Sequence, residues 1–126
     1  MYRIGKAFRF EAAHHLPGLP QGHKCARPHG HSYTAEVTVV TDGDLTGPGF
    51  VVDFAELAAL GRFLDAAFDH RDLTTVLPVA PTSENVAAHL YQWCAENLAL
   101  PAGARVEKVR VSETASTFAE YAPVPL

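Results

Sequence analysis

The stretch His31-Ser-Tyr-Thr-Ala-Glu-Val-Thr-Val-Val-Thr41 is the clearest strand pattern in this chain of 126 residues. In an extended conformation, one face carries the apolar side chains of Tyr33, Ala35, Val37 and Val39. The other face carries the more polar side chains of Thr34, Glu36 and Thr38. Because side chains alternate between the two faces of a strand, this period of two predicts a strand with one face on a hydrophobic core.

An earlier strand with the same alternation is predicted over residues 2–14, where one face carries Phe8, Phe10, Ala12 and His14. The range 17–22 is rich in Pro and Gly and predicts a loop between the two strands. Downstream of Thr41, the range 42–49 predicts turns, and Phe50–Val52 a further short strand.

Two helices are predicted in the middle of the chain. Asp53 is a suitable N-cap for the first, whose apolar stripe comprises Phe54, Leu57, Ala58, Gly61, Leu64 and Phe68. Thr82 or Ser83 can cap the second, whose apolar stripe comprises Val86, Leu90, Trp93 and Cys94.

Two closing strands are predicted at Val106–Glu113 and Phe118–Tyr121. Strands that flank a pair of helices favour an α+β domain. We therefore expect a single domain over residues 1–126, with a four-stranded antiparallel sheet, two helices on one face and the order ββααββ.

The composition limits the classes of function. The net charge of −4 gives no indication of a nucleic-acid partner, and no apolar run is long enough to span a bilayer. The first residues lack the layout of a signal peptide, so a cytoplasmic protein is expected. A disulfide between Cys25 and Cys94 is not expected in that compartment, and Cys94 has the pattern of a buried helical residue.

Three histidines have the spacing of a metal site. His29 and His31 lie two residues apart and point to the same face of an extended segment. His14, rather than His15, shares the inward face of the first strand with Phe10. Three imidazoles with a vacant fourth position are the ligand set of a catalytic zinc ion.

Cys25 has two interpretations at this stage. It could be a fourth ligand that closes a structural zinc site, or an acid/base thiol beside an open one. The neighbouring Lys24 and Arg27 would favour the thiolate form.

Three further motifs have both a functional and a structural interpretation. Asp69-His70 could be an acid/base pair or a solvated helix end. Glu113 shares strand parity with Val109 and Val111, which directs its carboxylate inward, although a surface glutamate at a strand end would look similar. Thr82-Ser83 is fully explained as a helix cap.

Taken together, the chain resembles the 6-pyruvoyltetrahydropterin synthase/6-carboxytetrahydropterin synthase family over nearly its whole length. The resemblance rests on six motifs in order, namely Phe10-Glu-Ala-Ala-His14, Cys25-x-x-x-His29-Gly-His31, Val52-Asp53-Phe54, Phe68-Asp69-His70, Pro81-Thr-Ser-Glu84 and Ser112-Glu113-Thr114. Three residues separate Cys25 from His29, which resembles the bacterial 6-carboxytetrahydropterin synthase branch of queuosine and 7-deazapurine biosynthesis. Thr74 stands where the family usually has Asn.

The resemblance implies a tunnelling fold (T-fold) and a hexamer of two trimers with sites at the subunit interfaces. It implies a zinc-dependent lyase that converts 7,8-dihydroneopterin triphosphate to 6-carboxy-5,6,7,8-tetrahydropterin, acetaldehyde and triphosphate. One Zn²⁺ per subunit would be held by His14, His29 and His31. The catalytic groups would be Cys25, His70, Asp69 and Glu113, and the pterin would be bound by Glu113, Thr82 and Ser83. Lys24, Arg27 and Arg71 are candidates for contacts with the triphosphate.

Three other functions are compatible with the same motifs. The fold could eliminate triphosphate without cleaving the side chain, which is the 6-pyruvoyltetrahydropterin synthase reaction. It could be a non-catalytic module with a Cys-His₃ zinc staple. It could also act on pterins as an aldolase or epimerase, although such relatives usually lack the three-histidine site.

Overall fold

Two long antiparallel strands form the centre of the structure, a computed structural model that describes residues 1–124. Strand β1 spans Tyr2–His14 and strand β2 spans His29–Thr41. Their register runs from Tyr2 opposite Thr41 to His14 opposite His29. The two predicted strands are therefore confirmed, with β2 beginning two residues earlier than expected.

Three further strands complete a sheet of order β3-β1-β2-β4-β5. Strand β3 (Arg71–Asp72) is parallel to β1, whereas β4 (Ala104–Thr114) and β5 (Thr117–Tyr121) are antiparallel to their neighbours. The helices are α1 (Ala58–Ala67), α2 (Leu73–Val76) and α3 (Ser83–Asn97), with short 3₁₀ turns at Lys24–Ala26 and Phe54–Leu57.

The helices cover one face of the sheet. Helix residues such as Leu64 and Leu90 form one buried cluster with the strand residues Phe10, Tyr33 and Val109. The register between β2 and β4 shifts after Thr38, so that β4 accommodates one additional residue, Glu107. This bulge keeps both Val106 and Val109 in the core.

The predicted α+β class is confirmed, but three details of the prediction are wrong. The sheet has five strands rather than four, because the two-residue β3 is too short to leave a pattern in the sequence. Phe50–Val52 is not a strand, since Phe50 only closes a tight loop with a single bridge to Thr46. Phe54 is 55 % exposed rather than buried, because Asp53 caps a 3₁₀ turn before α1 and the helical spacing starts later.

The second of the two predicted helices is α3, and it begins where the sequence predicts. The Thr82 side chain accepts a hydrogen bond from the Asn85 backbone at 3.1 Å, so Thr82 rather than Ser83 is the N-cap. Cys94 is buried in the core, where desolvation raises its thiol pKa to about 12. Within the described residues, no helix is long and apolar enough to cross a membrane.

A hydrogen-bonded clamp holds the end of β1 against α2. The Thr74 hydroxyl accepts a hydrogen bond from the His15 backbone N–H at 3.0 Å and donates one to the His15 carbonyl at 3.4 Å. Asp72 caps α2 by accepting from the Thr74 N–H at 3.0 Å. The clamp therefore fixes the backbone directly after His14.

Replacing Thr74 by valine keeps the shape of the side chain and removes the clamp. We expect Thr74→Val to lower the free energy of unfolding by about 1–3 kcal/mol, because the part-buried His15 N–H loses its partner. Urea denaturation in the presence of a chelator measures this effect apart from metal binding. Thr74→Ser keeps the hydroxyl and is the matched control. Equal stability of the valine and serine variants would contradict this account of the clamp.

Candidate functional site

Three imidazoles meet where β1 ends and β2 begins. His14 lies directly opposite His29 in the register, and His31 is two residues further along β2 on the same face. One ligand atom from each of the three lies within 4.8 Å of the others. The group could therefore hold a metal ion, and it comprises the three histidines selected by strand parity.

Two of these imidazoles are oriented by backbone carbonyls. The Nδ1–H of His14 donates to the Pro81 carbonyl at 2.8 Å, and that of His29 donates to the Arg27 carbonyl at 2.7 Å. With both rings neutral, each then presents only a lone pair at Nε2, and these two atoms are 2.9 Å apart. A cation is the group that satisfies two such facing lone pairs, and carbonyl-bound Nδ1 atoms are usual for metal-ligating histidines.

The third imidazole has an unsatisfied nitrogen. His31 Nε2 is buried and has no hydrogen-bond partner within residues 1–124. Burial lowers the pKa of His31, while the nearby Glu113 carboxylate, 3.6 Å from Nε2, acts in the opposite direction. The neutral form leaves Nε2 able to ligate a metal, so all three rings fit a metal ion.

Cys25 and two cationic side chains line a cavity next to the histidines. This Cys25 cavity, of about 490 Å³, is lined by Lys24, Cys25, Arg27, Pro28, His29 and His31. The backbone N–H of Leu16 donates to the Cys25 carbonyl at 2.8 Å and holds the loop beside the end of β1. The Cys25 thiol is free and is not among the clustered ligand atoms.

Glu113 belongs to a second cavity, and its carboxylate lies 3.6 Å from His31 Nε2. This Glu113 cavity, of about 630 Å³, is lined by Leu16, Thr82, Ser83, Glu84, Glu113, Thr117, Phe118, Ala119 and Glu120. Its volume lies in the range of roughly 300–1,000 Å³ that is usual for small-molecule sites. Glu113 is thus brought together with Thr82 and Ser83, from which it lies far apart in the sequence.

Asp69 and His70 form a hydrogen-bonded pair. Asp69 accepts the Glu11 N–H at 2.8 Å and the His70 Nδ1–H at 2.9 Å. The bond from the Glu11 backbone is the main reason that the pKa of Asp69 is lowered, so its carboxylate remains charged and keeps the proton of His70 on Nδ1. His70 has a φ of 57°, a left-handed conformation that is uncommon for residues other than glycine.

This pair faces a third cavity rather than Cys25. The His70 side chain is 79 % exposed. The cavity that it lines is also lined by Glu11, His31, Ser32, Arg71 and Asp72. Glu11 and Ser32 lie on the sheet face opposite to His14 and His29. Within this chain, the structure therefore groups Cys25 with His29 and His31 and Glu113 with Thr82 and Ser83, while His70 lines a separate cavity.

Two features of the site were not found from the sequence. The carbonyls of Pro81 and Arg27 leave no signal in the sequence, because every residue type carries such a group. Tyr33 is fully buried beside His31, with ring centroids 5.5 Å apart, and its hydroxyl has no partner among the described residues. The alternation around Tyr33 indicated burial but not this unpaired hydroxyl.

Comparisons with known proteins agree with this geometry. The family model for 6-pyruvoyl tetrahydropterin synthase matches residues 3–123. The 6-carboxy-5,6,7,8-tetrahydropterin synthase of Synechocystis sp. is 39 % identical over 126 residues, covering 96 % of this chain and 93 % of the relative. The enzyme of the same name from Bacillus subtilis is 32 % identical over 127 residues, covering 97 % and 86 %.

A solved structure gives the same result for the fold. The Caenorhabditis elegans 6-pyruvoyl tetrahydropterin synthase superposes with a TM-score of 0.81 at 25 % identity, covering 98 % of this chain and 96 % of that one. The fold is therefore the T-fold expected from the sequence motifs. The extent of the family match and the identity to both bacterial enzymes establish that the chain belongs to the 6-pyruvoyl tetrahydropterin synthase family of enzymes.

Proposed function

We propose that this protein is a zinc-dependent lyase that converts 7,8-dihydroneopterin triphosphate and one water molecule to 6-carboxy-5,6,7,8-tetrahydropterin, acetaldehyde and triphosphate. The observation that carries the proposal is the position of His31 between the Cys25 cavity and the Glu113 cavity. A metal-binding imidazole thus adjoins a thiol on one side and a carboxylate on the other. The substrate requires these three groups for its hydroxyls, for proton removal from its side-chain carbons and for its pterin ring, respectively.

His14, His29 and His31 would hold one Zn²⁺ per subunit. When bound, zinc supplies a Lewis acid that lowers the pKa of a coordinated hydroxyl and stabilises a developing oxyanion. The protein holds the three rings ready for this role, because carbonyls fix His14 and His29, and His31 Nε2 has no hydrogen-bond partner within residues 1–124.

Glu113 would hold the pterin. A carboxylate accepts two parallel hydrogen bonds, and the 2-amino group and N3–H of a pterin present two such donors. Ser83 has a hydroxyl in the same cavity, whereas the Thr82 oxygen already accepts the Asn85 N–H and keeps its proton and one lone pair for a ligand. This arrangement supports a ring bound in the Glu113 cavity, with its side chain directed at the histidines.

Cys25 would remove a proton from a carbon of the substrate side chain, and His70 would act as the second acid/base group. Asp69 fixes the proton of His70 on Nδ1, which leaves Nε2 available to accept one. Because His70 is exposed and lines a different cavity from Cys25, we further propose that the pair acts on the site of a neighbouring subunit. An assembly with sites at its subunit interfaces, such as a hexamer of two trimers, would provide this arrangement.

Two observations favour the carboxy product over the pyruvoyl product. Three residues separate Cys25 from His29, as in the carboxy branch that the motif resembles. The bacterial relatives from Synechocystis sp. and Bacillus subtilis also carry the carboxy name. The absence of Cys25 from the clustered ligand atoms argues against a structural Cys-His₃ zinc staple.

Turnover of 7,8-dihydroneopterin triphosphate tests the proposed reaction. We expect the zinc-loaded protein to release acetaldehyde and 6-carboxytetrahydropterin in equal amounts, and to stop after chelation until zinc is restored. Chromatography of the pterins and an alcohol dehydrogenase assay for acetaldehyde measure the two products. A pyruvoyl product without acetaldehyde would establish the other branch, and no pterin product at all would refute the proposal.

Mixed oligomers test the proposed sharing of sites between subunits. Cys25→Ala and His70→Ala should each abolish turnover while keeping one zinc per subunit, because neither side chain is a ligand. After the two variants are unfolded and refolded together, we expect turnover to return, since some sites then combine an intact Cys25 with an intact His70. Refolding each variant alone is the control. Failure of correctly assembled mixtures to regain activity would show that both residues act within one subunit.

A further inference from the structure

The geometry points to Lys24 and Arg27 as a binding site for a polyphosphate chain, occupied in the proposed reaction by the triphosphate of the substrate. The inference rests on the proposed function, because that function supplies the ligand. The sequence alone offers three cations for this role, and the structure distinguishes among them.

The order of the cavities sets the direction of the substrate. His31 lines the Cys25 cavity and lies 3.6 Å from Glu113 of the Glu113 cavity, so it adjoins both cavities. In the proposed substrate, the pterin ring and the triphosphate are at opposite ends of a three-carbon side chain. A ring bound at Glu113 brings that side chain to the histidines and directs the triphosphate toward the Cys25 cavity.

The Glu113 cavity is unsuitable for a polyanion. Its lining includes three carboxylates, those of Glu84, Glu113 and Glu120. The nearby cations Lys108 and Arg110 are both bound to Glu120, at 3.0 and 2.9 Å. A triphosphate placed there would meet negative charge and cations that are already paired.

The Cys25 cavity has the opposite character. Its lining contains no carboxylate, and neither Lys24 nor Arg27 forms an ion pair within the described residues. The protein as a whole has a net charge of −4, so two unpaired cations beside a metal-binding group are not part of a generally basic surface. Lysine and arginine are the usual ligands of phosphate oxygens.

Arg71, the third candidate, has surroundings that are less suitable for a polyanion. It lines the cavity of His70 together with the acidic Glu11 and Asp72. Its guanidinium also donates to the Ala66 carbonyl at 3.0 Å, at the end of α1. Arg71 therefore serves the local structure around β3, where it pairs with the end of β1 and bonds to the end of α1.

Binding of inorganic triphosphate tests the inference without turnover. Calorimetry on the zinc-loaded protein should detect binding, and the double variant Lys24→Gln/Arg27→Gln should weaken it by about 100-fold, roughly tenfold for each charge-assisted contact. The control Arg62→Gln/Arg105→Gln removes two exposed charges elsewhere and should stay within about twofold of wild type. Protein-bound zinc is assayed after each titration, because polyphosphates also chelate metals. 7,8-Dihydroneopterin, which lacks the triphosphate, should bind wild type and Lys24→Gln/Arg27→Gln equally.

The outcomes separate this inference from the proposed function. Unchanged triphosphate affinity in Lys24→Gln/Arg27→Gln overturns the inference, even if the enzyme makes the carboxy product. A loss of affinity that only parallels a loss of zinc also overturns it. A changed pH profile for alkylation of Cys25 with intact triphosphate binding would show that the cations serve the thiol instead. Triphosphate binding that requires both cations, in a protein that makes no pterin product, would refute the proposed function and leave the anion site standing.

Discussion

The register between β1 and β2 is the constraint on which the site depends. It sets His14 opposite His29 and Phe10 opposite Tyr33. The Phe10 and Tyr33 rings stack with centroids 4.9 Å apart in the buried core, so the packing that stabilises the fold also fixes the register. A slip of one residue would move the side chains of one strand to the other face and separate the imidazoles.

Backbone carbonyls orient the imidazoles that this register brings together. His14 is 1 % exposed, and burying a polar ring is costly unless its hydrogen bonds are satisfied. Pro81 satisfies Nδ1 from the segment that leads into α3, and Arg27 does the same for His29 from the loop that carries Cys25. The helix layer and the Cys25 loop are therefore both coupled to the orientation of the His14 and His29 imidazoles.

The sequence was sufficient to predict those strands in which apolar and polar side chains alternate regularly. Alternation predicted β1, β2 and β4 and assigned His14, rather than His15, to the inward face. It could not reveal β3, which has two residues and directly follows the left-handed residue His70. Nor could it show that His70 lines a different cavity from Cys25, because that separation arises from tertiary packing. The three candidate cations became distinguishable only when their neighbouring carboxylates and carbonyls were known.

The central claim is that three imidazoles, without Cys25, hold the metal and leave a position open for the substrate. X-ray absorption spectroscopy at the zinc edge of the loaded wild-type protein tests it most directly. The account predicts three histidine nitrogens at about 2.0–2.1 Å, the remaining ligand being a light atom from solvent. A sulfur scatterer at about 2.3 Å would make Cys25 a ligand, and would contradict both the open site and the role proposed for the thiol.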